Sequence, residues 1–287
     1  MRTKVFGFHR IVLLPLVALL CALPALGSSS DSSQRTVGKL GKVAIIGTGD
    51  LGDSLGPRFA QLGYQVIYGS RNPASDSAKA LVAHTGNGAS AASQREAAQS
   101  ADLVVLAVGW PVMRTVAQNL GSLDGKIVID ISTAAEQGED GYFTSVVETS
   151  AAELIQDWNP GAKVVKAFAV QASYVVDDPT VMEGPISVPI AADDRNAKEV
   201  VARIVAGMGM DPFDAGPLRY SREIEAFARL YMVPILQRRQ AAWEPYFRRS
   251  YFWECAWGDD WSDPVADAKN LATMPNNQGP AKPCPGL

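Results

Sequence analysis

From Lys42 onward, short β-branched or aliphatic runs alternate with stretches of helical periodicity. The runs Lys42–Ile46, Gln65–Tyr68, Leu103–Val108, Ile127–Ile131, Lys163–Ala167 and Ile186–Ala191 read as strands. Between and after them, Leu51–Leu62, Ser75–His84, Pro111–Leu120, Ser145–Trp158 and Ala197–Gly207 read as helices. Strands that are apolar on both faces and separated by helices predict an α/β fold, with a doubly wound parallel sheet covered on two sides. Pro111 suits the first turn of its helix, where the missing N–H has no partner to lose. Asp211–Asp214 adds a short last strand. Ser221–Gln237 adds a helix with Ile224, Phe227, Ala228 and Tyr231 on one face.

The pattern breaks at both ends, which divides the chain into residues 1–27, 28–38, 39–236 and 237–287. The first segment has a basic head (Arg2, Lys4, Arg10), an apolar run from Ile11 to Leu26 and small residues near Ala25-Leu26-Gly27. That is the form of an export signal, and the run is shorter than the ~20 apolar residues that span a bilayer. The expectation is a periplasmic or secreted protein. A retained membrane anchor, or a cytoplasmic protein begun at a later start, are the alternatives. Residues 28–38 form a Ser-rich linker with little to bury. In the last segment Trp243, Tyr246, Phe247, Tyr251, Phe252, Trp253, Trp257 and Trp261 crowd together ahead of a Pro/Asn/Gly-rich tail. Such an extension either packs on the main domain, the commoner fate of clustered aromatics, or caps a pocket.

Composition narrows the chemistry. With 287 residues, 47% of them hydrophobic, the chain can bury a full core. A net charge of -4 without basic runs excludes a general affinity for nucleic acid. Its 2 histidines, His9 and His84, leave no means of building a His-based metal site or a Ser-His-Asp triad, since His9 lies in the signal-like segment. No metal is expected. Self-association into a homo-oligomer is compatible with the sequence and not specified by it.

The strongest motif is Gly47-Thr48-Gly49-Asp50-Leu51-Gly52, a GxGxxG between the first strand and the first helix. Gly47 permits the tight turn, Gly49 lets a pyrophosphate approach the backbone, and Gly52 lets the helix pack on the strand. The helix-start amides then face the phosphates, Thr48, Asp50 and Leu51 completing the loop. This identifies a Rossmann-like dinucleotide site. The second strand ends Gly69-Ser70-Arg71-Asn72 instead of in the Asp or Glu that holds the ribose hydroxyls of NAD. Ser70 can donate to a 2′-phosphate and Arg71 can pair with it, whereas a carboxylate would repel it. The residues therefore select NADP.

GTGDLG followed by GSRNP is similar to the NADP domain shared by deazaflavin-dependent NADP oxidoreductases and the cytosolic part of the STEAP metalloreductases. The resemblance covers approximately Lys42 to Pro234. Val164-Val165-Lys166-Ala167-Phe168 and Asp130-Ile131-Ser132 with Glu136-Gln137 look like the metalloreductases. Asp214-Ala215-Gly216-Pro217-Leu218 and the bulky Trp110 before Pro111 look like the deazaflavin enzymes. Thr133 and Ala169 stand where the metalloreductases carry asparagines near the nicotinamide. No long apolar run follows Leu218, so the expectation is the NADP half without a transmembrane haem half.

The resemblance implies that Ala107, Val108 and Gly109 line the nicotinamide ribose and that Trp110 or Phe168 walls the acceptor. Trp110 has an alternative as a hydrophobic staple on its helix, and Lys166 is either a general acid toward a carbonyl or imine or a solvated or phosphate-facing strand-end residue. Hydride transfer between NADPH and a flat flavin or deazaflavin acceptor needs stacking more than a strong acid, because the acceptor ring takes the electrons. Two other readings stay open: reduction of a small carbonyl or imine, and NADP(H) binding without turnover. An export signal and a need for NADPH pull in opposite directions.

Loss of the signal-like segment removes Cys21 and leaves Cys255 and Cys284, either a disulfide or two unrelated thiols. The exported protein is predicted to begin near Ser28 and to carry the Cys255–Cys284 bond. Intact mass with and without reductant checks both; an N-terminus at Met1, or two free thiols, contradicts them.

Overall fold

The computed structural model describes residues 41–237 and 244–247. The signal-like segment, the linker, the Cys255–Cys284 pair and most of the aromatic extension lie outside the described residues.

The chain runs β1 (Lys42–Ile46), α1 (Asp50–Gln61), β2 (Gln65–Ser70), α2 (Asp76–Thr85), β3 (Ser90–Ser93), α3 (Gln94–Gln99), β4 (Leu103–Leu106), α4 (Trp110–Asn119) and β5 (Ile127–Asp130). It continues with β6 (Ala135–Gln137), β7 (Phe143–Ser145), α5 (Ala151–Trp158), β8 (Lys163–Lys166), α6 (Ser173–Asp177), β9 (Ser187–Ala191), α7 (Arg195–Gly207), β10 (Asp211–Gly216) and α8 (Ser221–Gln237). One sheet has the order β10-β9-β8-β5-β4-β1-β2-β3, and β6 and β7 form a separate hairpin. From β3 to β8 all pairings are parallel.

Strand pleating sorts the apolar residues into two cores. Val43 and Ile45 of β1 join Val105 of β4 and Leu55 and Phe59 of α1 on one face of the sheet. Ala44 and Ile46 join Val104, Leu106 and Met113 on the other. A period of two thus lets each strand bury both faces, as a sheet covered on both sides requires.

Four local features differ from the sequence reading. β9 runs antiparallel to β8 through the pair Lys166↔Ala191, and β10 is parallel to β9. The β8–β9 connection holds only the five-residue α6 and a 3-10 turn, and antiparallel return needs no full crossover helix. The helix expected from Ser145 starts at Ala151: Ser145 ends β7, and Ser150 caps α5 by accepting from the Glu153 amide. The Ser-Ala-Ala-Ser strand β3 and the short α3 were not anticipated, although Ser93 and Glu96 form a capping box. The β6–β7 hairpin was also missed.

Residues 244–247 return to the domain. The Ser187 amide donates to the Pro245 carbonyl at 3.0 Å, and the Phe247 amide to Ser187 Oγ at 2.9 Å. The Phe247 ring stacks on Phe213 at 5.0 Å and tilts against Phe227 at 5.8 Å. This part of the extension packs on β9, β10 and α8.

Packing of α1 on the sheet depends on Gly56. A Cβ there would lie 1.6 Å from the hydroxyl oxygen of buried Tyr68, which shares a 2.7 Å hydrogen bond with Thr85. Gly56→Ala must displace that ring, and overpacking of this kind costs about 1–3 kcal/mol. A urea melt should show the loss; an unchanged midpoint would contradict this account of the packing.

Candidate functional site

The strand order reverses at β1, which has β2 on one side and β4 on the other, so a crevice opens at the carboxyl ends of β1 and β4. The β1–α1 turn lies at its mouth. Gly47 has φ +120°, and a Cβ there would lie 2.2 Å from the Ala107 carbonyl oxygen. At Gly52 a Cβ would lie 2.6 Å from the Gly47 carbonyl oxygen. A Cβ on Gly49 meets nothing within 4 Å, so this glycine borders open space. Two glycines close the turn and the third clears an approach to it.

α1 starts with Gly49 as its N-cap, and no side chain caps it. Its first amides and the positive end of the helix dipole are therefore available to an anion. Asp50 and Asp53 add negative charge in the same turn; both are exposed, so water screens them. At the end of β2, Ser70 Oγ accepts from the Asn72 amide at 3.1 Å, leaving its own proton available. Arg71 is exposed and has no ion pair among the described residues. Glycine turn, uncapped helix, serine hydroxyl and arginine together fit a phosphorylated dinucleotide.

Beyond β4, Ala107 and Val108 are half-buried, and exposed Gly109 is the N-cap of α4, again without a side-chain cap. Of the three acceptor-side candidates, Phe168 and Lys166 lie differently from expectation, and Trp110 has one ring face engaged in packing. Half-buried Trp110 stacks on Trp158 at 6.1 Å, and the Arg114 guanidinium lies 5.6 Å from the Trp158 ring. One face of Trp110 is therefore spent on helix packing. Phe168 is fully buried within the core and cannot wall an acceptor. Its φ of +58° is costly for a bulky residue and is held by the surrounding core.

Lys166 is neither solvated nor a free acid. It is completely buried, and its ammonium donates to Asp130 Oδ2 at 2.7 Å, to Glu225 Oε1 at 2.7 Å and to the Ser132 carbonyl. Asp130 Oδ1 also accepts from the Ser132 amide and hydroxyl, at 2.9 and 2.7 Å. Glu225 accepts from the Ala134 amide at 2.9 Å and the Ala151 amide at 2.8 Å. Burial alone would lower the Lys166 pKa, but the two carboxylates outweigh it and hold the ammonium above the ordinary lysine value. With every donor committed, Lys166 has no proton to offer a substrate.

Beside this cluster lies a shallow cavity of about 150 Å³ lined by Thr133, Ala135, Phe143, Ala228, Arg229 and Met232. Thr133 is half-buried between Ser132 and Ala134, whose backbone the cluster fixes. The sequence reading singled out Thr133 but missed Phe143 and Met232, which reach the cavity from β7 and α8.

These features define a Rossmann-type oxidoreductase fold. Residues 42–134 match the family described as NADP oxidoreductase, coenzyme F420-dependent. The F420-dependent NADP reductase of Methanothermobacter thermautotrophicus is 32% identical over 205 residues, covering 66% of this chain and 87% of that protein. The chain belongs to this family and is an NADP-dependent oxidoreductase. Metalloreductase STEAP3 of Rattus norvegicus is also 32% identical, over 198 residues, but the match spans only 38% of its length. The solved structure of an F420-dependent NADP-reductase from Arthrobacter sp. FB24 aligns with a TM-score of 0.67 at 26% identity, covering 73% of this chain and 100% of that one. A pyrroline-5-carboxylate reductase from Coxiella burnetii shares the fold, with a TM-score of 0.50 at 18% identity.

Lys166→Met would leave Asp130 and Glu225 buried without their cation. Breaking a buried pair in this way costs roughly 3–5 kcal/mol, to be measured by urea unfolding near neutral pH. Because the folded-state pKa of Lys166 is raised, its contribution is complete below the unfolded value of about 10.4 and is lost as pH rises through the folded value. A parent protein that melts like the variant at neutral pH would contradict this.

Proposed function

We propose that the chain transfers hydride between NADPH and a flavin, deazaflavin or similarly flat acceptor, held in the crevice at the carboxyl ends of β1, β4 and β5. The observation that carries this reading is the uncapped glycine turn at the end of β1, and the slot lined by Thr133 is compatible with it. Gly47, Thr48, Gly49, Asp50 and Leu51 would hold the pyrophosphate. Ser70, Arg71 and Asn72 would hold the 2′-phosphate, and Ala107, Val108 and Gly109 the nicotinamide ribose. Among the described residues, the slot bounded by Thr133, Ala135, Phe143 and Met232 is lined by apolar surface and the cation Arg229, with no carboxylate, histidine or lysine.

When bound, NADPH supplies the hydride, and the acceptor takes it with a proton from solvent, giving NADP+ and the two-electron-reduced acceptor. A flat conjugated acceptor carries its own electron sink, so the residues around it need only position it and exclude water. Phe143 and Met232 suit that role. A small carbonyl or imine would gain from a proton donor at the slot, and Lys166, the candidate named for that task, is committed to its two carboxylates. This weighs against the small-substrate reading.

NADPH should bind one to two decades more tightly than NADH, and Arg71→Ala should erase most of the difference. A charge-assisted phosphate contact contributes roughly 1.5–3 kcal/mol, and the effect should shrink in high salt. Titration calorimetry with both nucleotides decides it; equal affinities in the parent protein would end the NADP assignment. Absorbance of the reduced nicotinamide, followed against a panel of acceptors, tests the reaction. Reduction of flavins or deazaflavins supports the proposal. Reduction of an imine or carbonyl alone favours the small-substrate reductase, and saturable binding without oxidation favours a binding protein.

A further inference from the structure

Arg229 is a cation that the fold leaves without an anion. It lies on α8, half-buried in the lining of the cavity between α8 and the β6–β7 hairpin. Its position, one turn after Glu225, is the one at which a helix ordinarily pairs glutamate with arginine. Glu225 is not available for that pair, because its two oxygens accept from Lys166, Ala134 and Ala151. Arg229 has no ion pair or hydrogen bond among the described residues. Its guanidinium stays charged throughout the physiological range, and its planar fork of N–H donors matches a carboxylate or a phosphate.

The surroundings favour an anion supplied from outside. Ala135, Phe143, Ala228 and Met232 give the cavity apolar walls, beside which water competes less well for a charge. Thr133 adds a hydroxyl that makes no hydrogen bond among the described residues; only its carbonyl is used, by the Ala135 amide at 2.9 Å. No carboxylate lines the cavity among the described residues. Exposed Glu136 follows Ala135 in β6, where strand alternation turns it to the opposite face. We propose, resting on the placement of the acceptor at this cavity given under Proposed function, that Arg229 is a specificity-determining residue: with the Thr133 hydroxyl it binds an anionic group, phosphate or carboxylate, on the hydride acceptor. The acceptor is then a flat ring that carries a negative charge. A neutral ring would leave the guanidinium unpaired, whereas an anionic one engages it through charge-assisted hydrogen bonds.

The test measures dissociation constants of FMN, carboxymethylflavin and uncharged riboflavin by quenching of flavin fluorescence, with NADP+ present. The proteins are the parent, Arg229→Gln and Arg229→Lys, each verified as folded by circular dichroism. The parent should prefer at least one anionic flavin over riboflavin by about tenfold at low salt, and the preference should shrink as salt rises. Arg229→Gln should abolish the preference, and Arg229→Lys, which keeps the charge, should retain part of it. A merely structural role would weaken all three flavins together and leave their ratios intact. Equal affinities in the parent, an unchanged ratio in folded Arg229→Gln, or no binding of any of the three overturns the proposal. NADPH oxidation with the same flavins separates the anion site from the reaction. An Arg229-dependent preference in binding without reduction supports the anion site and ends the assignment of hydride transfer to flavins. Reduction of all three with equal efficiency supports hydride transfer and overturns the anion site.

Discussion

The ammonium of Lys166, sealed between Asp130 and Glu225, ties distant parts of the chain to one point. It joins the ends of β5 and β8, and through the carboxylates it reaches the 132–134 loop, the start of α5 and the body of α8. Burying such polar groups is expensive unless they are satisfied, and here the ammonium and all four carboxyl oxygens of the cluster have a partner. The arrangement therefore tolerates little displacement. It fixes the 132–134 loop, and with it the Thr133 side of the cavity.

The front of the crevice is built by close backbone approach. Gly47 presses against Ala107 and Gly52 against the Gly47 carbonyl, which draws β1, the end of β4 and the start of α1 together around Gly49. Two helices, α1 and α4, start at this edge with glycine N-caps and no capping side chain. An interior helix would leave such ends costly; at the edge of a crevice they are donors waiting for an anion. Beside them the chain ends β2 with a serine and an exposed arginine. In the proposed reading, backbone dipoles would take the pyrophosphate and the Arg71 charge the extra phosphate.

What was legible in the sequence was what is local. The glycine spacing, the Ser70-Arg71-Asn72 end of β2 and the span Ser221–Gln237 are set by neighbours in the chain, and the structure places them as read. β3 escaped notice because Ser-Ala-Ala-Ser has no β-branched residue, and its strand state comes from pairing with β2. The Lys166 cluster escaped because Glu225 is 59 residues away and a lysine at a strand end ordinarily meets water. A signal was present: Glu225 sits next to Ile224 and one turn from Ala228, on the buried side of α8, and so calls for a buried cation. The family resemblance makes Phe168 a wall of the acceptor site, but its left-handed backbone turns the ring into the core.

The central claim is that one crevice holds the phosphates through the Gly47–Gly52 turn and presents the nicotinamide to the Thr133 slot. A crystal structure of the protein with NADP+ tests it most directly. The account predicts pyrophosphate against the α1 amides, the 2′-phosphate between Ser70 and Arg71, and the nicotinamide at the ends of β4 and β5 facing Thr133. A 2′-phosphate left in solvent, or a nicotinamide directed away from the slot, would contradict it.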